Sequence, residues 1–264
     1  MSGVTVEVRA VGWAVLTIAK EPVNTMNLQL WQALSDALIS IESNSAIRGL
    51  LIVSGLKRDI FTAGNDMNEL HAAKTSKERY KRFWEVSNVF LARLYRSPLF
   101  TVAAIRGACP AAGCCIAMCC DYRIMTEKGH IGLNEVALGI PVPIYWTELF
   151  LQTVGSGPGE KLLKSGKFLT PAEALKLGLL DEVVPAAELR VAVEQVMAEV
   201  LKLPDLGRQG TKSTIRDNLS HRWEAGCVEE SESGWQSLAD PRTVKMLDAV
   251  LQSLSRSKGA KAKL

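Results

Sequence analysis

GACPAAGCCIAMCC, residues 107–120, is an uncharged stretch of small and apolar residues that follows the apolar segment 100–105. The apolar segment predicts a buried strand, the small residues after it predict a turn, and CCIAMCC predicts a helix. The same order occurs earlier, where the apolar residues 49–53 precede FTAGNDMNEL, residues 61–70. Because alternating strands and helices are typical of α/β proteins, this recurrence predicts an α/β fold.

The flanking sequence extends this organisation in both directions. Residues around Gly12 predict a β-hairpin, and Thr170 with Pro171 begins a capping box for a later helix. Further helices are predicted at 28–42 and 77–95, and further strands at 122–125 and 179–184. From residue 187 onward the apolar spacing is almost wholly helical. We expect one continuous unit in three parts: an α/β core over residues 1–190, a C-terminal helical region over 191–255 and a disordered basic tail over 256–264.

Composition argues against several classes of function. The 264 residues are 47% hydrophobic, which permits a large core, and the net charge of +3 is too small to indicate nucleic-acid binding. No apolar run reaches the roughly 18 residues that a membrane-spanning helix needs. The first residues carry Glu7 and lack the pattern of a signal or transit peptide. We therefore expect an intracellular protein with no membrane span and no nucleic-acid partner.

Glu135 is the only acidic or strongly basic residue in GHIGLNEVALGIPVPIYW, residues 129–146. Apolar surroundings make a carboxylate costly to ionise and raise its pKa towards neutrality, which suits a general base near pH 7. The alternative is structural, because Asn134 and Glu135 could simply cap a helix that begins at Val136.

Two turns supply a second chemical feature, namely Ala63-Gly64-Asn65-Asp66 and Pro110-Ala111-Ala112-Gly113. Each lies between a predicted strand and a predicted helix, where backbone N–H groups are free to bind an anion. Either turn alone could be an ordinary connection. Two such turns together with a lone carboxylate indicate proton abstraction next to a carbonyl, with the enolate oxygen held by backbone N–H groups.

Five of the six cysteines fall within residues 109–120, in the spacing C-x4-CC-x3-CC. Metal binding is one interpretation, but this spacing is not that of a zinc knuckle and adjacent cysteines on a helix point to different faces. Buried free cysteines behave as small hydrophobic residues. We expect them to pack a helix, and we expect no metal site.

Several motifs together resemble the crotonase (enoyl-CoA hydratase/isomerase) superfamily, and within it the monofunctional Δ3,Δ2-enoyl-CoA isomerases. The resemblance covers roughly residues 4–255 and is densest in PVNTMN (22–27), FTAGNDMNEL (61–70), RGACPAAGCCIAMCCDYRIM (106–125), IGLNEVALGI (131–140) and TPAEALKLGLLDEVV (170–184). It implies a spiral of ββα units with a C-terminal helical region, assembled as a homotrimer or a dimer of trimers. It also implies an acyl-CoA substrate and no separate cofactor, since coenzyme A is part of the substrate.

The resemblance also implies roles for particular residues. Glu135 matches the isomerase base, and the backbone N–H groups of Asn65 and Ala112 match the two donors of the oxyanion hole. Coenzyme A would lie across residues 22–27 and the first turn. The substrate-binding residues implied in this way are Ala63, Gly64, Asn65, Asp66, Met67 and Ala112.

Three positions depart from the pattern of the superfamily. Hydratases carry a second glutamate where this chain has Cys115, and adding water across a double bond suits a pair of carboxylates. One carboxylate can move a proton from C2 to C4, so the missing acid favours isomerisation over hydration. Related isomerases usually have glycine at Ala112 and an apolar residue at Asn65, which could alter acyl-chain fit or rate.

Alternatives remain open at this stage. The chain could be a hydratase or another CoA-thioester enzyme of the same fold, or a non-catalytic protein that binds CoA or RNA. His130 and His71 have no matched role. Asp66 and Asp121 are expected to be a helix-start residue and a structural contact rather than catalysts.

The last three residues, Ala262, Lys263 and Leu264, resemble the peroxisomal address S-K-L with alanine in place of serine. Such a match arises easily by chance in a basic tail. We nevertheless expect a peroxisome or related microbody, reached through the peroxisomal import receptor, with the mitochondrial matrix as the alternative.

Overall fold

The computed structural model describes residues 3–261, with side chains described as far as residue 253. Six strands form one sheet whose spatial order is the order of the chain. The first two strands pair as the predicted antiparallel hairpin, and every later neighbouring pair is parallel. The strands are β1 (Val4–Arg9), β2 (Trp13–Ile18), β3 (Gly49–Ser54), β4 (Phe100–Pro110), β5 (Tyr122–Gly132) and β6 (Glu182–Val184).

Helices connect the parallel strands and complete the C-terminal part. The predicted α/β organisation is therefore confirmed, including the capping box at Thr170. The helices are α1 (Leu28–Glu42), α2 (Met67–Leu70), α3 (Lys77–Arg96), α4 (Ala112–Cys119), α5 (Ile144–Val154), α6 (Ser156–Ser165), α7 (Pro171–Lys176), α8 (Leu189–Val200), α9 (Asp205–Leu238) and α10 (Pro241–Lys261), with a short 3-10 helix at Glu135–Leu138.

Strands β4 and β5 are longer than the sequence predicts, since each has 11 residues where the predicted segments are 100–105 and 122–125. Their pairing shifts register between Ile105 and Gly107 and then continues to Pro110 opposite Gly132. Gly107 has φ +76°, and a Cβ there would lie 1.9 Å from the carbonyl oxygen of Asp59. The chain can therefore bend and stack closely on the preceding turn only because residue 107 is glycine. The bend carries the strand ends towards the site.

The sheet divides the core into two layers because strand residues alternate between its faces. On β3, Leu50 and Ile52 face α1, α3 and α4, whereas Leu51 faces α8. Every residue of α4 is buried, and all six cysteines are free and buried. The cysteines on α4 thus have the packing role that the sequence predicts.

The long helix α9 packs along α3 and is anchored by a buried ionic cluster. Lys212 Nζ lies 2.7 Å from Asp121 Oδ2, and Arg216 lies 3.0 Å from Asp121 Oδ1. Asp121 is therefore the structural contact that we expected. Leu219 and Leu247, from the last two helices, belong to the same hydrophobic cluster as the sheet, so these helices share its core.

The last helix, α10, extends beyond the predicted C-terminal helical region, and its backbone is helical as far as Lys261. The disordered basic tail over 256–264 stays a prediction. Ala262, Lys263 and Leu264 lie outside the described residues. The boundary at residue 190 stays a prediction. Within residues 3–261, no helix is both long and apolar enough to cross a membrane.

Candidate active site

A cavity of about 980 Å³ lies where the two small-residue turns meet the segment after β5. Four of the substrate-binding residues that the resemblance implies line it, namely Ala63, Asn65, Asp66 and Met67, and so does the implied base, Glu135. Gly64 and Ala112 are buried directly behind this surface. The remaining walls are largely apolar and include Tyr80, Trp84, Leu138, Ile140, Val142, Trp146, Leu238, Val250 and Leu251.

The first turn presents the backbone N–H of Asn65. Met26 donates its N–H to Gly64 O at 2.9 Å and accepts from Asp66 N at 2.9 Å, which forms a parallel bridge. In such a bridge the N–H of the middle residue, here Asn65, faces away from the partner, Met26. Within residues 3–261 the N–H of Asn65 has no hydrogen-bond acceptor. Asp66 caps α2 by accepting from Asn68 N, so its expected role as a helix-start residue is confirmed.

The second turn presents the backbone N–H of Ala112, the first residue of α4. Ala111, just before it, has φ +49°, a strained conformation for a residue with a Cβ. Ala111 donates its N–H to Gly132 O at 2.8 Å, which ties this turn to the end of β5. The first N–H groups of a helix have no partner within the helix, and none is found for Ala112 in the described part of the chain.

The two turns are in contact. A Cβ at Gly64 would lie 3.2 Å from the Cβ of Ala111 and 3.9 Å from the backbone nitrogen of Ala112. Gly64 also has φ +84°, which a larger residue rarely adopts. The fold therefore brings together two unpaired N–H groups that are 47 positions apart in the sequence, as an oxyanion hole requires.

Glu135 is the first residue of the 3-10 helix, which begins one residue earlier than the structural alternative has it, and the N-cap residue Asn134 makes no side-chain cap hydrogen bond. Glu135 is 5% exposed and lines the cavity, and its Oε2 is buried with no hydrogen-bond partner. Burial raises its pKa to about 7, against a smaller lowering by its own backbone N–H. A carboxyl group with this pKa can both accept and return a proton near neutral pH.

No second carboxyl group stands at position 115. Cys115 is fully buried within α4 and is not among the cavity-lining residues. Burial is the main cause that raises the pKa of its thiol, and its contact with Cys119 adds to this. The thiol is therefore neutral near pH 7 and cannot orient water as a carboxylate does. Among residues 3–261, no group of three or more potential ligands could hold a metal ion.

Glu230, on α9, is a second buried acid of the cavity that the sequence analysis missed. Its Oε1 accepts from Ile144 N at 2.8 Å and its Oε2 from Trp84 Nε1 at 3.2 Å. Burial raises its pKa. It lies in the acidic run VEESE, which is typical of a solvated face. Its spacing from the buried Trp223 and Cys227, at seven and three positions, could have revealed it.

The two suspected histidines are separated by the fold. His130 lines the cavity with its ring 4.6 Å from that of Phe168, and burial lowers its pKa, so it is neutral near pH 7. His71 is buried outside the lining, where its Nε2 lies 2.9 Å from Asp248 Oδ1. The contact links the end of α2 to α10.

Comparison with protein families agrees with this geometry. A family model described as enoyl-CoA hydratase/isomerase matches residues 10–238, which is most of the chain. The chain belongs to the enoyl-CoA hydratase/isomerase family.

Within this family, the chain is similar to proteins named mitochondrial enoyl-CoA delta isomerase 1. The Mus musculus protein is 35% identical over 254 residues, which cover 94% of this chain and 86% of the relative. The Homo sapiens protein is 32% identical over 250 residues, covering 94% and 82%.

Solved structures of the enoyl-CoA hydratase/isomerase family share the fold. The crystal structure of human mitochondrial Δ3-Δ2-enoyl-CoA isomerase has a TM-score of 0.93 at 32% identity, covering 97% of this chain and 99% of that one. The enoyl-CoA hydratase from Bacillus halodurans has a TM-score of 0.86 at 23% identity, covering 94% and 99%, and shows the fold alone. The crotonase-like fold that the resemblance implies is confirmed.

Proposed function

We propose that this chain is a Δ3,Δ2-enoyl-CoA isomerase of fatty-acid β-oxidation, which converts 3-enoyl-CoA to trans-2-enoyl-CoA. One observation carries the proposal: Glu135, whose Oε2 has no hydrogen-bond partner, lines a cavity bordered by the two turns that contain the unpaired N–H groups of Asn65 and Ala112. The neutral thiol of Cys115, where a hydratase would have its second acid, favours isomerisation. The names of the family members at 32–36% identity support the same reaction.

In the proposed mechanism, ionised Glu135 takes a proton from C2 of the 3-enoyl thioester. The C2–H electron pair forms the C1–C2 double bond, and the carbonyl pair moves onto the thioester oxygen. The N–H groups of Asn65 and Ala112 donate to this oxygen and stabilise the dienolate. When the carbonyl re-forms, a double bond forms between C2 and C3, and C4 takes the proton back from Glu135. The pKa of about 7 suits both steps.

The same proposal assigns the binding of the substrate. Coenzyme A lies across residues 22–27 and the first turn, with Val23, Thr25, Ala63, Asp66 and Met67 on the cavity wall. The acyl chain occupies the apolar part of the cavity beyond Glu135. The reaction needs no separate cofactor, because the proton moves between Glu135 and carbon atoms of the substrate.

The test is a direct assay of the purified protein with cis- and trans-3-enoyl-CoAs. We expect 2-enoyl-CoA to form, and Glu135→Gln to abolish the reaction while leaving the fold intact. Near-normal turnover by Glu135→Gln would disprove the mechanism. Rapid hydration of crotonyl-CoA would favour a hydratase. Salt-sensitive RNA binding without isomerase activity would favour the non-catalytic alternative.

We further propose a homotrimer, or a dimer of trimers, supported by large apolar side chains that α9 leaves exposed in the single chain, including Leu206, Ile215 and Val228. Light scattering during size-exclusion chromatography tests this, and a monomer at micromolar concentration would contradict it.

The compartment also stays a proposal. The relatives are mitochondrial by name, whereas Ala262, Lys263 and Leu264 predict import into a peroxisome. A fluorescent fusion at the N-terminus, with and without the last three residues, separates the two. Loss of punctate peroxisomal signal on deletion would support the C-terminal address.

A further inference from the structure

A buried tryptophan contacts the residue whose N–H is proposed for the oxyanion hole. Trp31 Nε1, on α1, donates a hydrogen bond to Asn65 Oδ1 at 3.1 Å. Trp31 is fully buried and packs with its ring 5.6 Å from that of Phe90, so the indole is fixed by the core. Asn65, by contrast, is half-buried and borders the cavity. The bond therefore runs from the buried core to the wall of the cavity.

The chemistry of this bond sets the orientation of the amide. An indole N–H is only a donor, so it pairs with Oδ1 of asparagine and never with Nδ2. Trp31 Nε1 has no other hydrogen-bond partner among the described residues. If the Asn65 side chain turned into the cavity, a buried N–H would stay unpaired, which is costly. The bond therefore holds the side chain away from the path of the substrate.

The surrounding contacts limit the movement of the turn further. Glu69, buried on α2, accepts from Leu28 N at 3.1 Å and forms an ion pair with Arg79 at 2.6 Å. Leu28 is the first residue of α1, the helix that carries Trp31. The turn is therefore tied to α1 at two points, by Trp31 at Asn65 itself and by Glu69 four residues later.

The second turn has no comparable side chain. Ala111 and Ala112 carry only methyl groups, and their positions are fixed by the strained backbone and by the bond to Gly132 O. The first turn is held by the backbone hydrogen bonds that Met26 makes to Gly64 and Asp66, and by one side-chain hydrogen bond, from Trp31 to Asn65. The side chain of Asn65 is therefore an anchor that the second turn lacks.

We propose that Trp31 is a positioning residue for catalysis, which acts through the Asn65 side chain to hold the Asn65 N–H in line with the developing enolate oxygen. This inference rests on the proposed function, in which that N–H belongs to the oxyanion hole. It explains why this chain has a polar residue at position 65.

The test uses Trp31→Phe, which keeps an aromatic ring and removes the N–H, and Asn65→Leu, which removes the acceptor and keeps the backbone N–H. Trp223→Phe is the matched control. Trp223 is also fully buried and donates its indole N–H to an asparagine, Asn88 Oδ1, at 2.9 Å, but it does not line the cavity. Both tryptophan variants thus lose the same kind of bond.

We expect Trp31→Phe to lower kcat for 3-enoyl-CoA roughly ten- to hundredfold with KM changed less than about threefold, because the misplaced donor acts mainly in the transition state. Trp223→Phe should stay within about twofold of the parent kcat, since it leaves the turn in place. The double variant Trp31→Phe/Asn65→Leu should be no slower than the slower single variant, because both remove one interaction.

A second readout does not depend on turnover. Acetoacetyl-CoA has an acidic C2–H, and its enolate absorbs in the near ultraviolet, so the ionised fraction of bound ligand reports the strength of the oxyanion hole. We expect Trp31→Phe to lower this fraction at fixed pH and Trp223→Phe to leave it unchanged. Measured in the Glu135→Gln background, the signal reports the hole without the base.

Unchanged kcat and unchanged enolate ionisation in folded Trp31→Phe would overturn the inference, as would equal losses in Trp223→Phe. If the parent protein fails to isomerise any 3-enoyl-CoA, the proposed function falls. The enolate measurement still decides the role of Trp31 in that case, so the two failures are distinguishable. Circular dichroism and the unfolding temperature establish that each variant is folded.

Discussion

Two buried glutamates, Glu135 and Glu230, line one cavity, and they differ in their hydrogen bonds. Glu135 is 5% exposed and Glu230 is 8% exposed, and burial raises the pKa of both. Both oxygens of Glu230 accept N–H donors, from Ile144 and Trp84. Oε2 of Glu135 has no partner. Burial alone therefore does not make a base; a base also needs a free oxygen that faces the substrate.

The neighbourhoods of the two acids show the same contrast. The region of Glu135 consists of turns that offer backbone N–H groups. The region of Glu230 consists of helix ends and tryptophan rings, and its carboxylate stabilises the first N–H of α5. One part of the cavity leaves polar groups unpaired for a ligand, whereas the other satisfies them within the protein.

The largest predicted difference between the two glutamates is in catalysis. Glu135→Gln should lower kcat for 3-enoyl-CoA by about 10³-fold or more, because a neutral amide cannot accept the C2 proton. Glu230→Gln should stay within about tenfold, because it perturbs only the wall. Steady-state kinetics on both purified variants measure the ratio. Similar losses in the two would mean that Glu230 also takes part in proton transfer.

The pH profile is the next test. Because only ionised Glu135 accepts a proton and its pKa is about 7, kcat should fall about tenfold per pH unit below pH 7 and level off above it. Glu230→Gln should keep the same midpoint. A midpoint near the ordinary pKa of a glutamate, about 4.3, would show that burial does not tune this group.

The variants Glu135→Gln and Glu230→Gln should change the stability of the fold in opposite directions. The folded-state pKa of Glu135 lies above its unfolded value, so wild-type stability falls as pH rises from about 4.5 to 7 and stays lower above that. Glu135→Gln removes this loss. The difference in free energy of unfolding between variant and parent should therefore be about 1–3 kcal/mol more favourable to the variant at pH 8 than at pH 4. Glu230→Gln leaves one N–H donor unpaired and should lower the free energy of unfolding relative to the parent protein by about 1–2 kcal/mol at pH 4, where both glutamates are mostly protonated. Urea titrations at both pH values measure these changes, and equal signs would contradict the comparison.

The smallest expected effect concerns the apolar wall from α10. Val250 lines the cavity, and Val250→Ala removes two methyl carbons from the proposed acyl site. At about 0.8 kcal/mol per buried carbon, KM for long-chain 3-enoyl-CoA should rise about four- to fifteenfold, depending on whether one or both methyl groups contact the chain. A short-chain substrate that does not reach α10 should show no change and serves as the control. An equal rise for both would place the acyl chain elsewhere.

Much of this molecule follows from local sequence. The hairpin around Gly12, the capping box at Thr170 and the helix cap at Asp66 are confirmed, because each depends on residues close together in the chain. By contrast, the sequence predicts strands β4 and β5 that are too short. Gly107 and Gly129 are typical of turns, and only the stacking of one turn of the chain on another shows that the strands continue through them.

Glu135 shows a limit of what the sequence can predict. Its isolation among apolar residues predicts a costly carboxylate, and the residues alone also permit a simple helix cap. In the structure Glu135 is the first residue of a 3-10 helix, and it also lines the cavity. Glu230 was missed because an acid within an acidic run is typical of a solvated face, and its burial depends on α3 and α5.

The sequence by itself determined the α/β order, the two small-residue turns and the single charge between residues 129 and 146, since these depend on residue type and spacing. Tertiary structure alone decided that Gly64 meets Ala111 and that Trp31 holds Asn65 across 34 positions. It also decided that Oε2 of Glu135 has no partner. The reason is physical: desolvation and hydrogen bonding depend on which groups share a space, and distant segments share one only after the chain has folded.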